Sequence, residues 1–163
     1  MRKFYIVTFI ICKNVYYTLW FTNNNDGFIL DDDKKHIKSF KFEEDIRVFA
    51  VENNLDLEVE ITNILCDKNK LLDTQHIDCN YILTFWNIIS DISNTIKTDF
   101  LGDHKTKDIC DIYNKLFYGC NLPALKNENK NENFVPKWRN NEKILIQRVI
   151  KDGLKILIKS INK

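Results

Sequence analysis

The stretch from Tyr81 to Ile96 constrains the fold most, because it is the most apolar of the long helical patterns in the sequence. Its apolar residues recur at three- and four-residue spacing, which places them on one face of a helix. The residues of that face are Ile82, Phe85, Trp86, Ile89, Ile92 and Ile96, and Tyr81, Leu83 and Ile88 widen it. A helix that is apolar over so much of its circumference is usually buried on more than one side, so we expect it to be the central core helix. Asp78 is its predicted N-cap.

The first third of the chain has the residue types of β-strands. It is rich in β-branched and aromatic residues, which suit a pleated, half-buried surface. The predicted strands are residues 3–11, 15–22, 28–30, 36–42 and 57–62. A turn predicted at Lys13 and Asn14 joins the first two strands as a hairpin, and the sequence NNNDG at 23–27 is a second turn signal. Apolar and polar residues alternate over 57–62, which favours a strand with one wet face, and helix is the competing interpretation there.

Helical patterns account for most of the remaining chain. Helices are predicted from Glu43 to about Asn53, as a short turn within 66–76, over the central stretch to about Lys97, from about Lys107 to Tyr118, and from about Asn140 to Ile161. Gly119 is placed to end the fourth of these in the left-handed conformation. The wholly polar sequence KNENKNEN at 126–133 predicts a mobile surface loop.

The order of these elements favours an α+β fold, because strands mostly come first and helices mostly follow. We predict an N-terminal antiparallel sheet packed against a C-terminal group of helices. The chain has 163 residues, of which 44% are hydrophobic, and it contains no internal repeat and no linker that would divide it. We therefore expect a single domain over residues 1–163, strand-rich over 1–65 and helical over 77–163.

The cysteines and the N-terminus both indicate the cytoplasm. Five cysteines, an odd number, lie far apart and mostly within apolar patterns, which suits a reducing compartment and burial as small hydrophobes. The apolar run from Phe4 to Cys12 follows two basic residues, as in a signal peptide, but it lacks small residues for cleavage. It is also too short to cross a bilayer as a helix. We interpret it as the first strand of a cytoplasmic protein that does not bind membranes.

Charge is distributed unevenly along the chain, although the net charge is only +1. Residues 1–111 carry 13 basic and 19 acidic residues, whereas residues 112–163 carry 11 basic and 4 acidic residues. The acids of the first half cluster in three places: Asp31, Asp32 and Asp33; Glu43, Glu44 and Asp45; and Glu58 with Glu60. Such clusters usually serve solubility. The functional interpretation is a face that steers and selects a basic protein partner.

No catalytic signature is present in the sequence. Its four glycines are isolated and cannot form a phosphate-binding loop, and neither a His-Glu-x-x-His helix nor a nucleophile elbow occurs. The three histidines, His36, His76 and His104, lie on or near predicted loops, and no pattern indicates a metal or another cofactor. Asp91 lies among apolar residues of the central helix. It is either exposed or a hydrogen-bonded polar group where helices pack, and it would be the centre of any unrecognised enzyme site.

Three stretches carry a family resemblance. They are TFWNIISDISNTI at 84–96, DIYNKLFYGCNLPAL at 111–125, and the ending with Pro136, Trp138, Glu142 and an apolar helix that contains Gly153. Together with TLWF at 18–21 and DGFI at 26–29, they resemble the small immunity proteins that accompany bacterial polymorphic toxins, including those of contact-dependent growth inhibition systems.

This resemblance implies a cytoplasmic protein, not an enzyme, that binds the C-terminal toxin domain of its own system and blocks its active site. Such toxins are often nucleases, whose substrate-binding faces are basic. An acidic face on the inhibitor would then mimic a phosphate backbone. The family pattern fixes no binding residues, so the eight clustered acids are our candidates from charge alone.

Two alternatives remain open. One is a small enzyme of unrecognised type that uses Asp91 and a histidine. The other is a nucleic-acid-binding module that uses the basic residues of the last helix, Lys143, Arg148, Lys151, Lys155 and Lys159. A lysine-rich helix face is usually only solvated, so nucleic acid is the less favoured partner.

Overall fold

The predicted N-terminal hairpin is confirmed. The structure is a computed structural model that describes residues 2–22, 25–123 and 133–161. Strands β1 (Lys3–Ile11) and β2 (Asn14–Thr22) pair antiparallel along their whole length. Their turn lies at Cys12 and Lys13, one residue earlier than predicted, and both residues have positive φ, 48° and 70°. A two-residue hairpin loop favours this conformation because its twist matches that of the strands.

The outer edge of β2 is covered by two short strands that are joined by a loop. β3 (Gly27–Phe28) and β4 (Ser39–Phe40) both pair antiparallel with β2, so the strands predicted at 28–30 and 36–42 are real but shorter. The intervening segment is closed by a bridge between Leu30 and Ile37. At its return, the Ile37 N–H donates to the Ser160 carbonyl at 2.9 Å, which ties this edge to the last helix. Part of the turn predicted at 23–27 lies outside the described residues.

The sheet is mixed, not purely antiparallel as predicted. Helix α1 (Glu43–Glu52) follows β4 and carries the chain across one face of the sheet before β5 (Leu57–Leu65) begins. A crossover of this kind returns the next strand in the same direction. β5 accordingly pairs parallel with β1, and the order is β3-β2-β1-β5, with β4 also beside β2.

The α+β class is confirmed, because three long helices pack on the other face of the sheet. They follow the short helix α2 (Lys68–Leu71) and are α3 (Cys79–Ile96), α4 (Lys107–Gly119) and α5 (Asn140–Ile161). α3 is the central helix, since its apolar face is buried against both other helices and the sheet. The Asp78 carboxylate accepts a hydrogen bond from the Tyr81 N–H at 3.0 Å, as expected of its N-cap.

Side-chain alternation divides the sheet between two buried clusters. Val7 and Phe9 of β1 face α3–α5, whereas Phe4 and Ile6 face α1. The smaller cluster is completed by Leu19, Ile46 and partly buried neighbours. Both sheet faces are therefore covered by helices, but α1 is a single short helix and covers its face less completely.

Gly119 does not adopt the predicted left-handed conformation. It lies inside the last turn of α4, and the positive φ, 51°, occurs at Asn121. A Cβ at position 119 would stand 2.5 Å from Cys79 Sγ and 2.8 Å from Pro136 Cγ. Glycine is needed here for close packing rather than for backbone freedom. Most of the polar loop predicted at 126–133 lies outside the described residues.

Among the described residues, none of the helices is both long and apolar enough to traverse a lipid bilayer.

Candidate protein-binding surface

The three predicted acidic clusters do not form one continuous surface. The loop with Asp31–Asp33 lies beyond β2 at one edge of the sheet, whereas Glu58 and Glu60 belong to β5 at the opposite edge. Two strands separate these edges, at about 4.8 Å per strand spacing. Glu43–Asp45 begin α1, which packs on the sheet between them.

The carboxylates of the first cluster mostly build their own loop. Asp31 is only 8% exposed, accepts a hydrogen bond from the Asp32 N–H at 2.9 Å and lies 3.4 Å from Lys38 Nζ. Asp33 accepts hydrogen bonds from the backbone N–H of Lys35, from the His36 ring and from the His36 N–H. These bonds, led by the one from Lys35, lower the pKa of Asp33 to about 2. Only Asp32 leaves its carboxylate without an ion pair among the described residues.

The second cluster presents two acids to solvent. Glu43 forms an ion pair with Arg47 one helical turn later, at 2.7 Å. Glu44 and Asp45 are exposed and make no ion pair with any residue that the structure describes. α1 buries Ile46 and Ala50 against the sheet, so its opposite face points outward.

That outward face is partly apolar. Val48 and Val51 of α1 are both exposed, Val51 at 77%, and they follow Glu44 at helical spacing, with Glu52 beside them. Two large apolar side chains on the wet face of a short helix are not explained by the packing of α1. Exposed apolar residues ringed by charge are typical of protein interaction sites.

The third cluster lies in a distorted part of β5. Phe4 pairs with Leu57 but Ile6 pairs with Ile61, so the strand carries extra residues between these two partners. This irregularity turns Val59 outward to 83% exposure. Glu58 forms an ion pair with Lys3, whereas Glu60 is exposed and makes no ion pair within the described part of the chain.

We group the exposed residues of the second and third clusters under one name, the acidic α1–β5 surface. A link of four residues joins α1 to β5 and adds the exposed Asp56, so the two elements are consecutive in the chain, and both contribute to the smaller buried cluster. Between residues 43 and 60 there are seven acids and one basic residue. The members of the surface are Glu44, Asp45, Val48, Val51, Glu52, Asp56, Val59 and Glu60. Sequence reasoning missed its three valines, because the alternation over 57–62 places Val59 on the apolar side of the strand and nothing in the sequence marks Val48 and Val51 as exposed.

The basic residues cluster elsewhere, on the last helix α5. Arg148, Lys151, Lys155 and Lys159 are exposed at spacings of three and four residues, so they share one face of α5. Lys143 is half-buried. This basic face contains the residues that a nucleic-acid-binding role would use.

Asp91 is a hydrogen-bonded group at the packing seam. Its carboxylate accepts a hydrogen bond from Trp20 Nε1 at 2.9 Å, and its backbone carbonyl accepts one from Thr95. Burial raises its pKa, the Trp20 bond opposes that effect, and nearby Asp26 and Asp103 add to it. None of the three histidines bonds to Asp91 in the described structure. Each instead pairs with an aspartate: His36 with Asp33, His76 with Asp73 and His104 with Asp99.

The cysteines form no disulfide and, among the residues that the structure describes, no metal site. All five are free thiols. Burial raises the pKa of Cys66 to about 12 and that of Cys79 to about 11, which keeps both protonated and unreactive. In the described residues, no group of three or more histidine, cysteine or carboxylate side chains is arranged to hold a metal ion.

Comparison with known proteins returned no match: no protein-family model fits the sequence, and no curated protein or solved structure is significantly similar to the chain.

Proposed function

We propose that this protein is an immunity protein that binds the toxin domain of its own bacterial system and neutralises it by covering the active site. The observation that supports the proposal is the acidic α1–β5 surface, which combines exposed valines with acids that make no ion pair with any residue the structure describes. It acts in the cytoplasm, without a cofactor and without chemistry of its own.

The charge of this surface selects the kind of toxin. A nuclease binds its substrate through a basic face, and seven acids against one basic residue over 43–60 provide the complementary field. Complementary fields raise the association rate and suppress wrong partners, and their effect declines as salt screens the charges. The exposed valines then add apolar contact area of the kind that interfaces combine with charged residues. The proposed partner is therefore a nuclease toxin domain.

The first experiment is co-expression of the tagged protein with the product of the adjacent gene. We expect a one-to-one complex and loss of the neighbour's toxicity in cells. A neighbour that neither binds nor harms cells when expressed alone would end the immunity proposal.

The second experiment locates the interface by charge reversal. Glu44→Lys, Glu52→Lys and Glu60→Lys together should slow association at least tenfold at low salt and less at high salt, because electrostatic steering is screened. The matched control reverses three exposed acids outside the surface: Asp32→Lys, Asp99→Lys and Asp108→Lys. Equal effects of the two triple variants would show that only net charge matters and would remove the surface from the proposal.

One alternative has its own supporting observation, the basic face of α5. If it contacts nucleic acid, affinity for a short RNA or DNA duplex should fall steeply with salt. It should also fall when Lys151 and Lys155 are replaced by Gln. Absence of binding at low salt would exclude this role. The enzyme alternative has no comparable support, since Asp91 bonds to Trp20 and not to a histidine.

A further inference from the structure

The outer edge of β5 is open. Within the described residues, β1 is the only strand hydrogen-bonded to β5, and most of β5 from Val59 to Leu65 is exposed. β5 is nine residues long, which is long for an uncovered edge strand. Natural sheets usually cover or shorten such an edge, because its unpaired N–H and C=O groups are a template for another strand.

The backbone groups that face outward can be identified from the ladder. The Cys66 N–H donates to the Ile10 carbonyl at 2.9 Å, so the backbone of Cys66 faces β1. Residues alternate in a parallel ladder, and therefore the N–H and C=O groups of Ile61 and Asn63 and the N–H of Leu65 face away from β1. The Leu65 carbonyl already accepts a hydrogen bond from the Tyr81 hydroxyl. Tyr81 thus marks the end of the open edge.

A groove runs beside this edge on the side of α3. It has a volume of about 400 Å³, and its walls include Asn63 and Leu65 from β5 and Asn80 and Thr84 from α3. Phe85 forms part of its floor. A strand added to β5 would place alternate side chains in this groove, which is how sheet edges beside a helix recognise extended peptides.

The charge of β5 indicates whether its edge pairs with a second copy of this chain or with a strand of another protein. Residues 56–65 contain three acids, Asp56, Glu58 and Glu60, and no basic residue. Lys3 already pairs with Glu58, but pairing two copies of β5 would bring the remaining acids together, whereas a strand with Lys or Arg would neutralise them. The edge therefore favours a basic strand of another protein over a second copy of this chain.

We infer that β5 receives an extended basic segment of the partner as an additional strand of the sheet, with uncharged side chains of that segment in the groove beside α3. This inference rests on the proposed function only for the identity of the partner. The recognition itself is defined by the open backbone groups, the groove and the acids of β5.

The test uses a synthetic strand as probe. A capped peptide of alternating lysine and valine, equal in length to β5, is titrated into the isotope-labelled protein. Amide resonances of Ile61, Asn63 and Leu65 should shift, and the affinity should exceed that of a glutamate–valine peptide at least tenfold. No binding, equal binding of both peptides, or shifts confined to residues outside β5 and its groove would overturn the inference.

Two controls separate strand pairing from simple charge attraction. A lysine–valine peptide that is N-methylated at alternate amides keeps its charge but loses its inward donors, so its affinity should fall at least tenfold. On the protein, Asn63→Pro removes an N–H that faces away from β1, and Val59→Lys places a positive charge on the edge. Each should weaken binding, and the second also keeps the test valid if the first variant does not fold. Unchanged affinity for the N-methylated peptide would refute strand pairing.

The same readout distinguishes this inference from the proposed function. If the adjacent gene product forms a complex but the amides of Ile61, Asn63 and Leu65 exchange with solvent as fast as in the free protein, the inference fails and the function stands. If the peptide binds as described and no toxin partner exists, the function fails and the strand-binding edge stands.

Discussion

Replacing Glu142 should reveal the most concentrated ion-pair network of the structure. Glu142 is buried at the start of α5. Its carboxylate accepts hydrogen bonds from Lys115 Nζ at 2.9 and 3.0 Å, from the Arg139 N–H at 2.7 Å and from Arg139 Nη2 at 3.1 Å. The bond to the backbone of Arg139 is one half of a capping box, so the same side chain ties α4 to α5 and begins the last helix.

The expected magnitude follows from the pKa of Glu142. Burial alone would raise this pKa, but the bonds from Arg139 and Lys115 lower it from the usual 4.5 to about 2. At about 1.4 kcal/mol per pKa unit the full effect would be about 3 kcal/mol. The Arg139 side chain is 74% exposed, so solvent screens its share, and we expect Glu142→Gln to lower the free energy of unfolding by about 2 kcal/mol at pH 7.

The sign of the pH dependence provides a second test. Because the folded-state pKa is lowered, the stabilisation is complete well above pH 4.5 and declines as pH falls towards 2. Urea unfolding of wild type and Glu142→Gln should therefore show a stability difference that shrinks by about 1 kcal/mol between pH 6 and pH 3.5. Glu44→Gln, at an exposed site without an ion pair to any described residue, is the control and should change little. A difference below about 0.5 kcal/mol at pH 7 would refute the network, and so would one that does not vary with pH.

Three further predictions concern packing, backbone and burial. Gly119→Ala should lower the free energy of unfolding by about 1–3 kcal/mol in chemical denaturation, although alanine normally stabilises a helix interior. Adding Cys79→Ala should restore part of the loss. If the stability losses of the two substitutions simply add, the proposed clash is contradicted. Replacing the hairpin turn by Cys12→Asn with Lys13→Gly should raise stability by about 1 kcal/mol, since these residues tolerate positive φ, and an unchanged melting temperature would argue against strain in this turn. Asp91→Asn should keep the hydrogen bond from Trp20 Nε1. Because burial raises the pKa of the Asp91 carboxyl, the variant should become more stable than wild type as pH rises above 4. A variant that is less stable than wild type at pH 7 would show that the charge of Asp91 is needed.

Strong periodicity explains why much of the fold could be predicted. α3 and α5 have continuous apolar faces, and β1 and β2 are dense in strand-forming residues, so local sequence determines both their type and approximate bounds. The pairing of β5 with β1 could not be predicted, because it depends on the sheet edge at which the chain arrives after α1. Gly119 was assigned to a cap because glycine at a helix end usually serves backbone conformation, and only the positions of Cys79 and Pro136 reveal the close approach.

The sequence predicts the acidic character of the candidate surface, but not which residues belong to it. Asp31, Asp32 and Asp33 look alike in the sequence, yet Asp31 and Asp33 are occupied by loop hydrogen bonds and ion pairs. Glu58 and Glu60 also look alike in the sequence, but Lys3 on the neighbouring strand β1 forms an ion pair with Glu58. Solvent exposure of Val59 likewise depends on an irregular register that no alternation of residue types encodes.

The bond between Ile37 and Ser160 has a consequence for the order of folding. It joins an early loop of the sheet to the last turn of α5, so the loop is fixed only after nearly the whole chain has been brought together. Contacts that close such long loops carry a high entropic cost before they contribute stability, which slows folding. We therefore expect the β1–β2 hairpin to form early and the β3–β4 edge late. During synthesis, the β3–β4 edge of the sheet would therefore stay exposed until α5 has left the ribosome. Over this period the exposed strand edge is prone to aggregation, and a chaperone that binds it would have its largest effect.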